Sequence, residues 1–309
     1  MEIQQSEKDK YKGFQGVWPA LFTPTRKDGK VNEKELEKLI ELLINQGMDG
    51  IYLLGSTGQG FLYSEEERKS VAKICLEIVD QRLPVMVQVG ALNTDESVRL
   101  ARYAAQHGAN AISSVGPIYY GASVNMAFEH YKKIAQATDL PFFPYQIGKS
   151  ATNALIDKLS QIENIGGMKL TTQNLTEISN IHNLVGSSWK LFSGADELLC
   201  HAALCGTSGA IGTSYNLIGD SCKTIRQEFL NGKVSMAAEF MLALQALIEE
   251  VLPSIWWFFR RAMLLKHNID IGDPRPPLLP GPALLTDEEI IARITRLENL
   301  AHVSITYTR

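Results

Sequence analysis

Lys169 is the residue whose type and position most directly indicate covalent chemistry. It closes the apolar run Ile165–Lys169, and residues 170–177 after it read as the entry to a helix. In a parallel α/β barrel, catalytic residues come from the C-terminal ends of the strands. An amine held there in partly apolar surroundings can lose its proton near neutral pH and attack a carbonyl carbon. The simpler alternative is an exposed lysine that happens to follow a strand.

Hydroxyl groups and glycines follow a second apolar run, residues 50–54. The segment Gly55–Gly58 contains Ser56 and Thr57. Two hydroxyls and adjacent backbone N–H groups between glycines suit a carboxylate or, equally, a phosphate. The same residue types also form an ordinary turn, so this segment alone does not decide between a binding site and a turn.

Three further strand ends carry candidate groups. Tyr145 ends the run 140–145, where its phenol could relay a proton beside an imine or simply be a core side chain with a satisfied hydroxyl. Asp196 and Glu197 follow the run 189–193 and are either ligands for a polar substrate or acidic residues favoured at a helix N-terminus. Tyr119 lies in the aromatic segment 117–120, which otherwise serves packing or subunit contacts.

These candidates need a fold that brings strand ends together, and the apolar pattern supplies one. Short apolar runs alternate with amphipathic stretches, and the strands are predicted at residues 16–23, 50–54, 84–89, 109–115, 140–145, 165–169, 189–193 and 209–212. Eight such strand–helix units favour a (β/α)8 TIM barrel. An open Rossmann-type sheet is disfavoured, because no Gly-x-Gly-x-x-Gly follows the first strand and Gly55–Gly60 has a different spacing.

The strand pattern stops after residue 233. Residues 235–267 and 286–301 read as helices, joined by the proline-rich segment 272–280. We therefore predict a catalytic barrel over residues 12–233 and a C-terminal helical extension over residues 234–309 that packs on the barrel. This arrangement is preferred to an independent second domain.

Composition excludes several classes of protein. The 309 residues carry a net charge of −4 with scattered basic residues, which argues against a nucleic-acid-binding protein. No apolar stretch reaches the ~20 residues of a membrane span, and the N-terminus has no signal-peptide core, so a cytoplasmic protein is expected. The 4 cysteines and 6 histidines lack metal-site spacing, and buried free thiols are expected.

The joint pattern resembles the class I pyruvate-dependent aldolases that include N-acetylneuraminate lyase and dihydrodipicolinate synthase. The resemblance covers nearly the whole barrel. Tyr145 lies 24 positions before Lys169, as that family requires. The segments that carry the likeness are Phe22–Pro24 with Asp28-Gly29, Gly55–Gly58 followed by Glu66–Arg68, Pro117–Tyr120, Tyr145 and Lys169.

The resemblance implies a role for each matched residue. Lys169 would form a Schiff base with the keto carbon of a pyruvate unit, while Ser56 and Thr57 would hold the pyruvate carboxylate. Tyr145 would shuttle a proton in relay with Ser56. Tyr119 would complete the relay, in much of the family from a neighbouring subunit, which implies a homotetramer. The imine itself is the electron sink, so no metal or organic cofactor is implied.

The choice of substrate rests on three matching segments of the lyase branch and several departures. Thr171, Gly194-Ala-Asp196-Glu197 and Thr213 match positions at which that branch binds the polyhydroxyl part of sialic acid. The synthase branch places an arginine where this chain has Lys149, a point charge and not a bidentate fork.

Three departures from the family pattern remain. Gln59 replaces a glutamate, Gln146 stands in a stretch that differs from the family's Tyr-Asn-x-Pro, and Thr213-Ser214 inverts the lyase order. We favour a lyase for N-acetylneuraminate. An aldolase for 2-keto-3-deoxy sugar acids and dihydrodipicolinate synthase are the alternatives within the family. A non-catalytic sugar-acid-binding barrel is the alternative from a different class.

Overall fold

Eight parallel strands form the centre of the computed structural model, which describes residues 11–120, 123–148 and 151–306, with side chains through residue 301. Their order is β1-β8-β7-β6-β5-β4-β3-β2, and a parallel bridge between Ala20 and Tyr52 joins the two end strands. The predicted (β/α)8 TIM barrel is confirmed. The strands are β1 (Gly16–Pro19), β2 (Ile51–Leu53), β3 (Val85–Gln88), β4 (Ala111–Val115), β5 (Phe142–Ile147), β6 (Gly167–Thr171), β7 (Lys190–Ser193) and β8 (Gly209–Gly212).

Amphipathic helices cover the outside of the barrel. The first one buries Leu36, Leu39, Ile40 and Leu43, the spacing that places apolar side chains on one helical face. Ser64 and Glu67 form a capping box at the start of the second. The barrel helices are α1 (Glu33–Asn45), α2 (Glu65–Val79), α3 (Thr94–Gln106), α4 (Val124–Ala135), α5 (Asn153–Leu159), α6 (Leu175–Val185), α7 (Leu199–Leu204) and α8 (Tyr215–Leu230).

The apolar side chains form two separate clusters. The larger cluster fills the space between strands and helices, whereas the smaller one consists of side chains from the strands themselves and from Phe14. Because successive strand residues point to opposite faces, the smaller cluster is the interior of the barrel. Its members are Phe14, Trp18, Ala20, Tyr52, Met86, Ala111, Phe143, Phe192 and Ile211.

Two strands extend further than the sequence pattern predicts. Strand β5 continues two residues past Tyr145, and β6 continues two residues past Lys169 to Thr171. The prediction that Lys169 closes its strand is therefore wrong, whereas the helix predicted to be entered over residues 170–177 does begin there, at Leu175. Tyr145 and Lys169 therefore lie inside their strands. The paired backbone on either side of each residue fixes the direction in which its side chain leaves the sheet.

The C-terminal region is helical, as predicted, but its first helix is broken. Residues 235–267 were predicted as one helix, whereas α9 (Val234–Val251) and α10 (Ile255–His267) are separated by a short 3₁₀ turn at Leu252–Ser254. Pro253 lies in that turn, and its missing N–H cannot continue the α-helical ladder. A last helix, α11 (Asp287–Thr306), follows. A domain boundary at residue 233 stays a prediction. None of the helices in the described part of the chain is long and apolar enough to cross a membrane.

Candidate active site

Lys169 stands inside the barrel beside two tyrosine rings. It pairs in register with Tyr145 on β5 and with Phe192 on β7, so its side chain leaves the sheet at the level of theirs. Its Nζ lies 4.1 Å from the ring centroid of Tyr52 and 4.3 Å from that of Tyr145. Only 5% of the residue is exposed. The alternative of a solvent-exposed lysine is therefore wrong.

The surroundings of Lys169 favour the neutral form of its amine. Burial lowers its pKa from 10.5 to about 7, although the carboxylate of Asp196 opposes that shift. Close to half of the molecules then carry an unprotonated amine near pH 7. The lone pair of that amine is what a nucleophile requires.

Tyr145 belongs to a group of hydroxyls next to Lys169. Its phenol oxygen lies 3.0 Å from Oγ1 of Thr171, on the neighbouring strand β6. Burial raises the pKa of Tyr145, and hydrogen bonds with the hydroxyls of Thr171 and Ser56 oppose that rise. The structure thus brings Tyr145, Ser56 and Thr171 together, with Thr171 as the hydrogen-bond partner at 3.0 Å.

The loop after β2 is folded so tightly that it depends on its glycines. Leu54, just before the loop, has a φ of 58°, which is uncommon for a leucine. A Cβ at Gly60 would lie 2.0 Å from the carbonyl oxygen of Leu54, so no other residue fits without displacing the backbone. The hydroxyl of Thr57 pairs with that of Thr213 at 2.7 Å, which joins this loop to the end of β8. Ser56 is exposed at the mouth.

Gln59 connects the same loop to the C-terminal extension. Its N–H donates to the carbonyl oxygen of Ser56 at 3.0 Å, and its Oε1 accepts the backbone N–H of Arg275 at 2.7 Å. The guanidinium of Arg275 stacks on the ring of Tyr63, 3.7 Å from its centroid, and donates to Glu67 on α2. Gln59, one of the residues that depart from the family pattern, therefore holds the loop through its contact with Arg275, which lies outside the barrel.

Asp196 and Glu197 form the acidic side of the mouth after β7. Asp196 is buried, and its Oδ2 accepts the backbone N–H of Ser214 at 2.7 Å. Burial raises the pKa of Asp196, and the hydrogen bond from Ser214 opposes the rise. Glu197 is half-buried and accepts a hydrogen bond from Gln173. Its backbone oxygen accepts the side-chain N–H of Gln245 on α9 at 2.8 Å.

Gly194 is where the acidic side meets Lys169. A Cβ placed there would lie 2.0 Å from Oγ1 of Thr171 and 3.0 Å from Cε of Lys169. Glycine is therefore required to leave room beside the lysine. The absence of a side chain at this position also keeps the path between Lys169 and Asp196 open.

A cavity of about 240 Å³ extends from this point toward the C-terminal helices. One side is polar or small and consists of Thr171, Gly194, Asp196, Glu197, Thr213 and Ser214. The side contributed by α9, the turn after it and the start of α10, which we call the apolar wall, includes Leu244, Leu247, Ile248, Val251, Leu252 and Ile255. The described residues that line the cavity include two carboxylates and no lysine, arginine or histidine.

One predicted residue, Tyr119, is not part of this constellation. Tyr119 is 82% exposed, and its ring packs edge-on against that of Tyr120. In the described part of the chain, no hydrogen bond or ring contact joins Tyr119 to Tyr145 or Lys169. Lys149 lies outside the described residues.

Sequence reasoning missed Tyr52 and the apolar wall. Tyr52 contacts the amine of Lys169 with its ring and lies 3.1 Å from Oγ of Ser113 with its hydroxyl. In the sequence it is an aromatic residue within an apolar strand, which is also the pattern of ordinary core. Knowing that β2 faces β6 across the barrel is the signal that would have identified it.

Groups that hold metal ions are a separate question. Among residues 11–120, 123–148 and 151–306, no three or more His, Cys, Asp and Glu side chains cluster as metal ligands do. Cys75, Cys200, Cys205 and Cys222 are free thiols, of which only Cys205 is partly exposed.

Comparison with known proteins assigns the chain to a family. N-acetylneuraminate lyase from Fusobacterium nucleatum is 28% identical with a TM-score of 0.81, covering 94% of this chain and 99% of that one. The Clostridium difficile protein CdNal, solved with mannosamine, is 28% identical with a TM-score of 0.82, covering 92% and 97%. The prophage protein YagE from E. coli K12, solved with pyruvate, is 26% identical with a TM-score of 0.82, covering 93% and 98%. Residues 13–288 match the dihydrodipicolinate synthetase family. The chain therefore belongs to that family and is an aldolase of the pyruvate-dependent type.

Proposed function

We propose that the protein cleaves N-acetylneuraminate reversibly to pyruvate and N-acetylmannosamine through an imine on Lys169. The observation that carries the proposal is the buried amine of Lys169, whose pKa is about 7 and which lies between the rings of Tyr52 and Tyr145. Few lysines in a folded protein are neutral at physiological pH, and such lysines are typical of Schiff-base catalysis.

The first step is imine formation. The neutral amine adds to the keto carbon of the open-chain sugar acid, and loss of water from the carbinolamine gives a protonated imine. That cation accepts the electron pair of the C–C bond between the third and fourth substrate carbons as the bond breaks. The fourth carbon leaves as the aldehyde, and the remaining enamine is protonated and hydrolysed to pyruvate and free Lys169.

Proton transfer is assigned to the hydroxyl group beside the lysine. Bond breaking requires that the substrate hydroxyl on the fourth carbon lose its proton. The protonated phenol of Tyr145 is proposed to take that proton as it passes its own along the relay with Ser56, and the relayed proton then protonates the enamine carbon. Thr171 and Ser56 hold the phenol by hydrogen bonds. Tyr119, exposed in this chain, is proposed to complete the relay from a neighbouring subunit of a homotetramer.

The pyruvate carboxylate is assigned to the loop after β2. The hydroxyls of Ser56 and Thr57 and the loop's N–H groups are donors of the kind that bind carboxylates. The Thr57 hydroxyl pairs with that of Thr213, which joins the proposed carboxylate site to the end of β8.

The acidic side of the cavity selects the aldehyde half of the substrate. Asp196, Glu197, Thr213 and the Gly194 segment offer acceptors for sugar hydroxyls. Because no basic side chain lines the described cavity, a second carboxylate on the aldehyde would face like charges without a partner. This favours a neutral polyhydroxy aldehyde over the anionic aldehyde of the synthase reaction. The 2-keto-3-deoxy sugar acids remain the competing substrates. We place the enzyme in the cytoplasm as part of the same proposal.

Pyruvate release from N-acetylneuraminate, measured beside release from 2-keto-3-deoxygluconate, tests the proposal. We expect a higher kcat/KM for N-acetylneuraminate and no release from either acid by Lys169→Met. A clear preference for 2-keto-3-deoxygluconate would overturn the proposed substrate while leaving the aldolase chemistry intact. If the wild-type protein formed no pyruvate adduct, the result would favour a non-catalytic barrel.

A further inference from the structure

The two sides of the cleft cavity differ in what they can bind. The polar side offers carboxylates, hydroxyls and backbone groups, and it begins next to Lys169 at Gly194. The apolar wall has no polar side chain among its six members. A ligand that spans the cavity therefore meets hydrogen-bonding groups on one side only.

The wall is accessible to a ligand. Leu252 is 60% exposed, and Ile248 and Ile255 are half-buried, whereas Leu244, Leu247 and Val251 are buried behind them. Leu252 also lies in the 3₁₀ turn between α9 and α10, which brings it to the rim of the cavity. Exposed aliphatic side chains that line a catalytic cavity lose contact with water when an apolar group covers them.

A fully hydroxylated sugar chain does not suit such a surface. A hydroxyl turned toward the wall would lose its hydrogen bonds to water without gaining a partner in the protein. An alkyl group, such as the methyl end of an acyl substituent, loses nothing of this kind when it is turned toward the wall, and it buries apolar area. The charge of the cavity points the same way, because two carboxylates and no cation favour an uncharged substituent.

We infer that the apolar wall binds an acylamino substituent of the aldehyde half, so that Leu252, Ile248 and Ile255 determine specificity for N-acylated over hydroxylated sugar acids. The inference rests on the proposed function and adds a subsite to it. In N-acetylneuraminate the only methyl group outside the pyruvate half belongs to the acetamido substituent. That methyl would pack on the wall while the remaining hydroxyls face Asp196 and Glu197.

The test compares two substrates that differ at one position. N-acetylneuraminate is assayed beside the 2-keto-3-deoxy sugar acid that carries a hydroxyl in place of the acetamido group. We expect wild-type kcat/KM to favour the acetamido substrate by roughly 10- to 200-fold, the range in which small apolar groups are discriminated by a pocket. Leu252→Asn should reduce that ratio by about 10-fold, mainly through a higher KM for the acetamido substrate.

A matched variant controls for stability and surface effects. Leu242 is also an exposed leucine of the C-terminal helices, at 67% exposure, and it does not line this cavity. Leu242→Asn should therefore leave both substrates and their ratio unchanged. Leu252→Met, which keeps an apolar side chain at the rim, should retain most of the preference.

The outcomes separate this inference from the proposed function. Equal wild-type cleavage of the two acids, or an equal loss for both in Leu252→Asn, would overturn the wall as a specificity determinant and leave the lyase proposal standing. Pyruvate release from neither acid would overturn both.

Discussion

The two ends of the catalytic cleft are built from different parts of the chain. The end that holds Lys169, Tyr145 and Tyr52 consists of strand residues, fixed by parallel pairing on both sides. The other end combines the loops after β7 and β8 with side chains from α9 and α10. Within that second end, the side chain of Gln245 on α9 donates a hydrogen bond to the Glu197 backbone oxygen and so joins the helices to the loop after β7.

The difference separates chemistry from selectivity. The backbone of a paired strand residue cannot move without breaking its hydrogen bonds, so the points from which Lys169 and Tyr145 leave the sheet are fixed. Helices packed by apolar side chains tolerate substitution when volume is kept. We therefore expect changes at the strand end to abolish turnover and changes at the helical end to alter which substrate is used.

Tyr145→Phe should have the largest effect among the variants that keep the lysine. It removes the phenol hydroxyl that Thr171 contacts and so removes the proton acceptor, while the ring beside Lys169 is retained. We expect kcat for sugar-acid cleavage to fall by about 10²- to 10⁴-fold, the usual contribution of general acid–base catalysis. Steady-state assays of pyruvate release measure this. Unchanged kcat would remove Tyr145 from the mechanism.

Asp196→Asn should have a smaller effect, mainly on the handling of the aldehyde half of the substrate at the helical end of the cleft. Loss of a charged hydrogen-bond acceptor should lower kcat/KM for sugar-acid cleavage by about 10- to 100-fold. Adduct formation with pyruvate alone should be less impaired. If both activities fall equally, Asp196 is a structural residue.

Asp196→Asn should also change the pKa of Lys169, because it removes a nearby negative charge. The carboxylate of Asp196 raises the pKa of Lys169, against the larger lowering by burial. Removing that charge should lower the pKa of Lys169 further, so the amine is neutral at lower pH. The pH at which trapping of the pyruvate adduct is half-maximal should therefore move downward. A movement upward would contradict the electrostatic role.

Gln59→Ala should have the smallest effect, which should fall on pyruvate binding by the loop after β2. It removes the acceptor for the Arg275 N–H and loosens the loop that carries Ser56. We expect the pyruvate concentration for half-maximal adduct formation to rise by about 2- to 10-fold. Gln59→Glu keeps an acceptor oxygen and serves as the control. Equal behaviour of the two variants would mean that the contact with Arg275 does not position the loop.

The sequence was sufficient for the barrel because strand–helix alternation is repeated eight times and each repeat supports the others. It was also sufficient to bring Lys169, Tyr145 and Ser56 together, because those residues lie near the C-terminal ends of strands that meet at one face of a barrel. The ends of β5 and β6 were misplaced by two residues, since Gln146 and Thr171 are polar and look like loop residues while their backbone is still paired.

The helical end of the cleft was less predictable from the sequence, for a physical reason. The apolar wall lies on helices that follow the barrel in sequence, and apolar periodicity alone does not reveal whether such a face covers core or lines a cavity. Leu252 illustrates this, because the break at Pro253 that places it at the rim was not predicted. The contact of Gln59 with Arg275 spans 216 positions and has no local sequence signal.

Borohydride trapping of the wild-type protein with pyruvate, across a range of pH, tests the central claim most directly. The account predicts one reduced pyruvate adduct, located by mass spectrometry on the peptide that contains Lys169, with its initial rate half-maximal near pH 7, where the neutral amine becomes the major form. No adduct on Lys169, or a rate that rises only toward the ordinary lysine pKa of 10.5, would contradict it.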